Sequence, residues 1–315
     1  MGAGIRAWSA VDGRPSVSRP WLRRIGGSYL LPIWFAVWAV QASLPLLFLG
    51  GLGTDAEIYH RATVAWLGGG SPWDATSAWG GNVYHFSALP SAVVLMAPFA
   101  LVPEQLFVPG FVALQAGAAI YVIRRLHLAW WWLLFPPVAL GIVAGNPSLL
   151  LLALLLAPHD ILKFLAPTLK VYAVLPLLGE RRWRPIAIAA LFGLASFVIA
   201  PGLWADFMTG AMLRETRLME ESGGGYSAYQ NPVLLPLVGI AVFALARYDL
   251  KAAGWLSPIA LWPASQLHWS SLAMPVMTPL LAVVLAVNIR GFVPLAVALH
   301  VLLLVVDRVR QRRVH

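Results

Sequence analysis

Cysteine is absent from the 315-residue chain, which excludes disulfides, Cys-ligated zinc and thiol chemistry together. Charge is scarce as well: 11% of residues are charged against 60% hydrophobic, and mean hydropathy is +0.76. A chain with so little polar surface cannot cover a soluble domain, so the composition is that of an integral membrane protein. Acids are outnumbered 13 to 22 by basic residues, for a net charge of +9. The basic residues are scattered over short segments between apolar runs, not gathered on one surface, and no nucleic-acid partner is expected. No internal repeat stands out, which weakens an inverted-repeat transporter reading.

What is abundant is apolar sequence. Runs begin near residues 29, 87, 106, 130, 147, 161, 186, 232, 252, 270 and 291, each of about 11 to 23 residues against the roughly 20 needed to span. They are continuous, unlike the alternating segments of a barrel, and predict an all-α polytopic bundle of about nine to eleven spans. One membrane unit over 29–306 is expected, between basic tails at 1–28 and 307–315. The first run, Tyr29 to Gly51, is too long for a signal-peptide core and follows Arg6, Arg14, Arg19, Arg23 and Arg24. It reads as an uncleaved anchor with a cytoplasmic N-terminus, which puts Asp55 on the extracytoplasmic face.

Two polar segments interrupt the oil, 52–86 and 206–231. Basic loops at Glu180–Arg184, Arg247–Lys251 and Arg290 fit the cytoplasm, which leaves 206–231 and Gln266–His268 on the side of Asp55. Residues 87–102 and 147–157 are short and Pro-flanked. If both are half-helices dipping in from the Asp55 side, Arg124 and Arg125 are cytoplasmic, and Asn146, His159 and Asp160 lie outside. If both cross, Arg124 and Arg125 break the positive-inside rule; Arg308, Arg310, Arg312 and Arg313 break it under either count.

Thr54 with Glu57 three residues on reads as a capping box, and Asp55 falls in the first helical turn. Ile58, Ala62, Ala65 and Trp66 form one stripe and Gly68–Gly70 ends it, so an amphipathic helix at the membrane surface is expected, with Asp55 and Tyr59 one turn apart on one side. Lys170 lies inside the apolar run 162–178, where a lysine costs roughly 2.5–3.5 kcal/mol unless paired or wet. Lys163, nearer the polar Pro158–Asp160 turn, is expected to snorkel. His268 is either a phosphate or Asp partner or a solvated loop residue. Tyr59, Trp73, Trp79 and Tyr84 suit either sugar stacking or an interfacial belt. Arg214, Glu215, Arg217, Glu220 and Glu221 before Gly223–Gly225 read as a solvated helix with its terminator, or as an acceptor-binding flap. No His-x-x-x-His pair joins His60, His85 or His159, so no metal is expected.

Asp55, Tyr59, Ala62, Gly70-Ser71-Pro72-Trp73-Asp74, Tyr84, Leu89-Pro90 and Ala97-Pro98-Phe99-Ala100-Leu101-Val102-Pro103 follow in an order that resembles the first loop and second span of bacterial GT-C glycosyltransferases. The likeness is greatest to the polyprenol-phosphate-mannose-dependent α-mannosyltransferases. Gly145-Asn146, Lys170, Leu175-Pro176, Arg181-Arg182-Trp183-Arg184, Ser257-Pro258, His268 and Pro275 continue it across most of 50–280. The sequence departs at Tyr84-His85-Phe86, where the family has a Tyr closely followed by two prolines, and at Asn146, where it has Gln. The resemblance implies a GT-C bundle in the bacterial plasma membrane and an inverting transfer of a hexose, mannose foremost, from a polyprenyl-phosphate sugar to a lipid or cell-envelope glycan. It implies Asp55 as base, Lys170 and His268 at the phosphate, and Tyr59, Tyr84, His85 and Asn146 lining the pocket, with no cofactor. The competing reading of the residues is a transporter or flippase for a lipid-linked substrate.

Overall fold

The computed structural model describes residues 29–79, 82–211, 227–229, 231–263, 266–287, 298, 300–306 and 309. The N-terminal and C-terminal arginines, Arg290, and the 214–225 segment with its acids and glycines lie outside the described residues. The described residues are mostly helical. Helix α1 (Leu30–Phe48) is an uncharged apolar run that stops at the glycines behind Leu49. A short turn leads to α2 (Thr54–Leu67), which ends at Gly68 as its sequence predicts. The first polar segment then departs from pure helix: β1 (Thr76–Trp79) and β2 (Asn82–His85) form an antiparallel hairpin in which Thr76 faces His85 and Ser77 faces Tyr84.

Helix α3 (Pro90–Met96) and a 3₁₀ turn (Ala97–Leu101) carry the chain to α4 (Glu104–Arg125). Both ends of this stretch are tied to α2: just before it, Phe86 packs on Tyr59 at 5.2 Å. The Val102 carbonyl lies 2.7 Å from His60 Nε2, and Glu104 accepts from Arg61 Nε and Nη2, each at 3.1 Å. Residues 87–102 therefore enter and leave on the α2 side, which is the half-helix alternative. Helix α4 then runs about 33 Å, so Arg124 and Arg125 stand at the opposite end of the molecule from Glu104.

Helices α5 (Pro136–Ala144) and α6 (Ser148–Leu155) meet at a bend of 114°. Their contacts show a re-entrant hairpin. Phe135, before α5, packs on Phe35 early in α1 at 4.9 Å; at its far end the Val143 carbonyl accepts from Gly53 N at 2.8 Å. Helix α6 runs back along α4: Leu150 N donates to Gln115 Oε1 at 3.0 Å, and the Leu156 carbonyl accepts from Arg125 Nε at 3.3 Å. The hairpin thus enters from the Arg125 end, opposite to the direction considered from sequence, and only its tip at Gly145–Pro147 reaches α2. His159 and Asp160 accordingly belong to the Arg125 end, together with Lys163, which shares its field with Arg125, Glu180 and Arg182.

A second excursion repeats the plan. From α7 (Asp160–Lys163), α8 (Leu165–Leu169) climbs inward, Lys170 adopts an extended backbone, and α9 (Val174–Gly179) descends to Glu180. Helix α10 (Trp183–Ile199) crosses to the other side and breaks by 103° into α11 (Pro201–Asp206). There Asp206 Oδ2 accepts from Ser71 Oγ at 2.6 Å, which joins the start of the second polar segment to the first. Helices α12 (Leu234–Tyr248) and α13 (Leu250–Leu261) form a hairpin turned at Asp249, whose carboxylate caps α13 through Ala252 N at 2.9 Å. A 3₁₀ stretch (Leu267–Val276) and α14 (Pro279–Leu285) follow.

Among the described residues two helices, α1 and α4, are long and apolar enough to cross a membrane, or up to four if each bent pair counts as one span. Each arm of a bent pair is apolar without being long, so a count of apolar runs does not tell a broken or re-entrant pair from two full spans.

Candidate active site

The site begins with the tight approach of two turns. Gly53 has φ +75° and Gly145 has φ +64°, and a Cβ on Gly145 would sit 3.0 Å from that of Ala56 and 3.3 Å from Gly53 Cα. Only glycine permits both the left-handed backbone and the contact. The approach places the tip of the α5–α6 hairpin against the first turn of α2. Asn146 Nδ2 donates to Asp55 Oδ2 at 2.7 Å, while Asn146 Oδ1 accepts from Ser148 N at 3.0 Å. The amide is therefore fixed at both ends, and its orientation toward the carboxylate is set by the backbone behind it.

Asp55 is half-buried beside this amide. Burial raises its pKa above the ordinary carboxylate value, and the Asn146 hydrogen bond and the Lys170 charge pull the other way. One turn on, Tyr59 is buried with its ring against Phe86 at 5.2 Å. The Lys170 ammonium lies 5.6 Å from the centre of the Tyr59 ring and donates to the Ser87 carbonyl. Lys170 is itself buried and stands at the tip of the second excursion. His268 closes the far side: it is buried, and burial with the Lys170 charge lowers its pKa to about 3, so the imidazole is neutral at physiological pH. Asp55, Tyr59, Asn146, Lys170 and His268, all singled out in the sequence, are brought together. Tyr84 and His85 stand half-buried on β2, and the hairpin touches the cluster through the residues that follow, Phe86 and Ser87.

Tyr172 is the member that sequence reasoning missed. It is fully buried, stacks on Trp269 at 4.2 Å between ring centres, and feels the charge of Asp55. A tyrosine two residues from a lysine in an apolar run was the available signal. Three buried polar atoms here have no hydrogen-bond partner among the described residues: Tyr59 Oη, Tyr172 Oη and His268 Nε2. Each such group costs about 1–3 kcal/mol, so three around one carboxylate and one ammonium are what a polar ligand site requires.

Several expectations are corrected. Thr54 makes no capping box; Gly53 occupies the cap position and Thr54 Oγ1 donates to the Gly51 carbonyl at 2.6 Å. Glu57 is instead held by Arg61 and Ser77, and Arg61 adds Glu104, so α2 is clamped to α4 and the hairpin. The buried face of α2 is wider than the expected stripe because Tyr59, His60 and Thr63 are also enclosed. Trp73 is wholly buried, donates to the Ala88 carbonyl at 3.2 Å and packs on Phe207, so it is core. Lys163 is buried with Asp160 at 3.8 Å and does not snorkel. Among the described residues no cluster of three His, Cys, Asp or Glu could hold a metal. Compared with protein-family models, curated proteins and solved structures, the chain matches none.

Proposed function

We propose that the protein is an integral membrane glycosyltransferase of GT-C type. It moves a hexose, mannose foremost, from a polyprenyl-phosphate donor to a lipid-linked or cell-envelope glycan outside the cytoplasm. The observation that carries this reading is that Asn146 bonds Asp55 and Lys170 acts on both Asp55 and His268, from segments far apart in the chain. Inverting transfer needs one group to take a proton from the acceptor hydroxyl and others to meet the leaving phosphate. The acceptor oxygen attacks the anomeric carbon, the bond from that carbon to the phosphate oxygen breaks, and the lipid phosphate leaves with the electron pair. The proton passes to Asp55. Burial makes this carboxylate a stronger base than an exposed one, and Asn146 orients it. Lys170 supplies positive charge to the leaving group, and neutral His268 contributes a hydrogen bond. Asp55→Asn in the purified protein is expected to lose roughly 10²- to 10⁴-fold in transfer of labelled sugar from polyprenyl-phosphate mannose. Transfer at the wild-type rate by Asp55→Asn would remove the base.

One observation favours the alternative of a transporter or flippase. Two excursions enter from one end and stop at an acid–lysine pair in the interior, and broken helices meeting at such a pair also serve transport. Movement of intact lipid-linked sugar across proteoliposomes, without any new glycosidic bond, would decide for that reading.

A further inference from the structure

Besides His268, the polar centre holds donors that the transfer step leaves unassigned. Tyr59 and Tyr172 are buried phenols on different elements, α2 and the tip between α8 and α9, and neither hydroxyl has a partner among the described residues. His268 Nε2, on the 3₁₀ stretch after α13, completes the set. The rings are fixed by packing: Tyr59 between Phe86 and Phe111, at 5.2 and 6.5 Å, and Tyr172 against Trp269 and Trp262, at 4.2 and 5.9 Å. Trp269 adjoins His268 in the chain, so one packing contact sets the second phenol and the imidazole together. The cation acting on Asp55 is Lys170, and the same lysine acts on His268.

We propose that Tyr172, with Tyr59 and His268 Nε2, forms the uncharged donor wall of a phosphoryl pocket charged by Lys170, and that this wall takes a singly charged phosphodiester headgroup in preference to a doubly charged monoester. The inference rests on a phosphate-bearing lipid occupying the site beside Asp55, as in the transfer reading. The reason is charge balance. With Asp55 ionised, one lysine already faces one carboxylate. A diester adds a single negative charge, which three neutral donors can accommodate. A phosphomonoester brings about −1.5 to −2 at neutral pH into a buried site whose carboxylate repels it. During transfer the acceptor proton lands on Asp55 as the leaving phosphate gains its second charge, so the total in the site is unchanged. Only when Asp55 returns that proton to water does the monoester lie beside a second anion. Loss of the proton is then what releases the product, and Asp55 has a role after the chemical step.

The test is binding, measured by calorimetry on the full-length protein in nanodiscs, with farnesyl methyl phosphate, farnesyl phosphate, inorganic phosphate and farnesol as probes. Wild type is expected to bind the methyl diester most tightly. Tyr172→Phe keeps the ring stack and removes one unpartnered hydroxyl; it is expected to retain its melting temperature yet bind the diester roughly tenfold or more weakly, as for a lost hydrogen bond to a charged group. Asp55→Asn is expected to bind farnesyl phosphate at least about tenfold more tightly than wild type, because the anion that opposes it is gone. Equal diester binding by Tyr172→Phe and wild type overturns the pocket. A wild type that binds the monoester or inorganic phosphate as tightly as the diester overturns the charge preference. Binding as expected in a protein that transfers no sugar would retire the transferase reading and leave the pocket standing.

Discussion

A carboxylate becomes a useful base by being buried a little and corrected a little. Burial moves Asp55 upward, and Asn146 and Lys170 hold that shift in check. A base of the kind proposed works ionised, so transfer is expected to rise with pH along a limb whose midpoint lies above the ordinary carboxylate value. Asn146→Ala removes a donor that favours the ionised form, so the limb should move further toward alkaline pH, with kcat restored at high pH more than KM changes. A pH profile identical to wild type would mean that the amide does not act on the carboxylate. Stability follows the same sign. A folded-state pKa above the unfolded one means that the folded chain holds the proton more tightly, so stability present below the unfolded pKa is lost as pH rises through the folded pKa. Asp55→Asn has no such loss, and its melting temperature at neutral pH is expected to equal or exceed that of wild type while transfer collapses. A lower melting temperature would argue that the carboxylate is structural. The sequence made Asp55, Tyr59, Lys170 and His268 legible because a charged or polar group near an apolar run is costly and therefore stands out. Tyr172 did not stand out, since a tyrosine in oil is cheap until its hydroxyl is seen to lack a partner.

Short, broken helices carry the site, and their precision depends on close backbone contact. Helices α9 and α13 touch at Gly179 and Gly254: a Cβ on Gly254 would lie 2.7 Å from the Leu175 carbonyl oxygen and 2.8 Å from Gly179 Cα. Beside this crossing Glu180 Oε1 accepts from Trp255 Nε1 at 3.1 Å and pairs with Lys251 at 3.5 Å. Gly254→Ala is expected to push α9 aside at a cost of about 1–3 kcal/mol, seen as a lower melting temperature, and to weaken transfer through the Lys170–Tyr172 tip that α9 anchors. An unchanged melting temperature would show that the crossing yields without strain. Hydropathy could not foretell these elements. It reports that a run is oily, and an arm that goes in and returns is as oily as one that goes through. The Glu104–Arg125 span was legible because its length, acid start and basic end agree. The excursions at 136–155 and 160–180 were not, because what defines them is the contact of their tips with a helix far back in the chain.

At the scale of the whole molecule, the absence of cysteine makes every introduced thiol unique. In sealed vesicles a membrane-impermeant maleimide is expected to label His159→Cys and Arg181→Cys from one face and Asp74→Cys from the other. Labelling of His159→Cys and Asp74→Cys from the same face would undo the re-entrant assignment of 136–155. The convergence on Asp55 also sets an order in time. Asp55 leaves the ribosome 91 residues before Asn146, and later still come Lys170 and His268. Until those residues are made, the carboxylate lacks the amide, the ammonium and the imidazole of the finished site. A chain stalled before residue 266 lacks Trp269, on which Tyr172 packs, as well as His268, so shortened chains should be cleared faster than point variants that keep this segment.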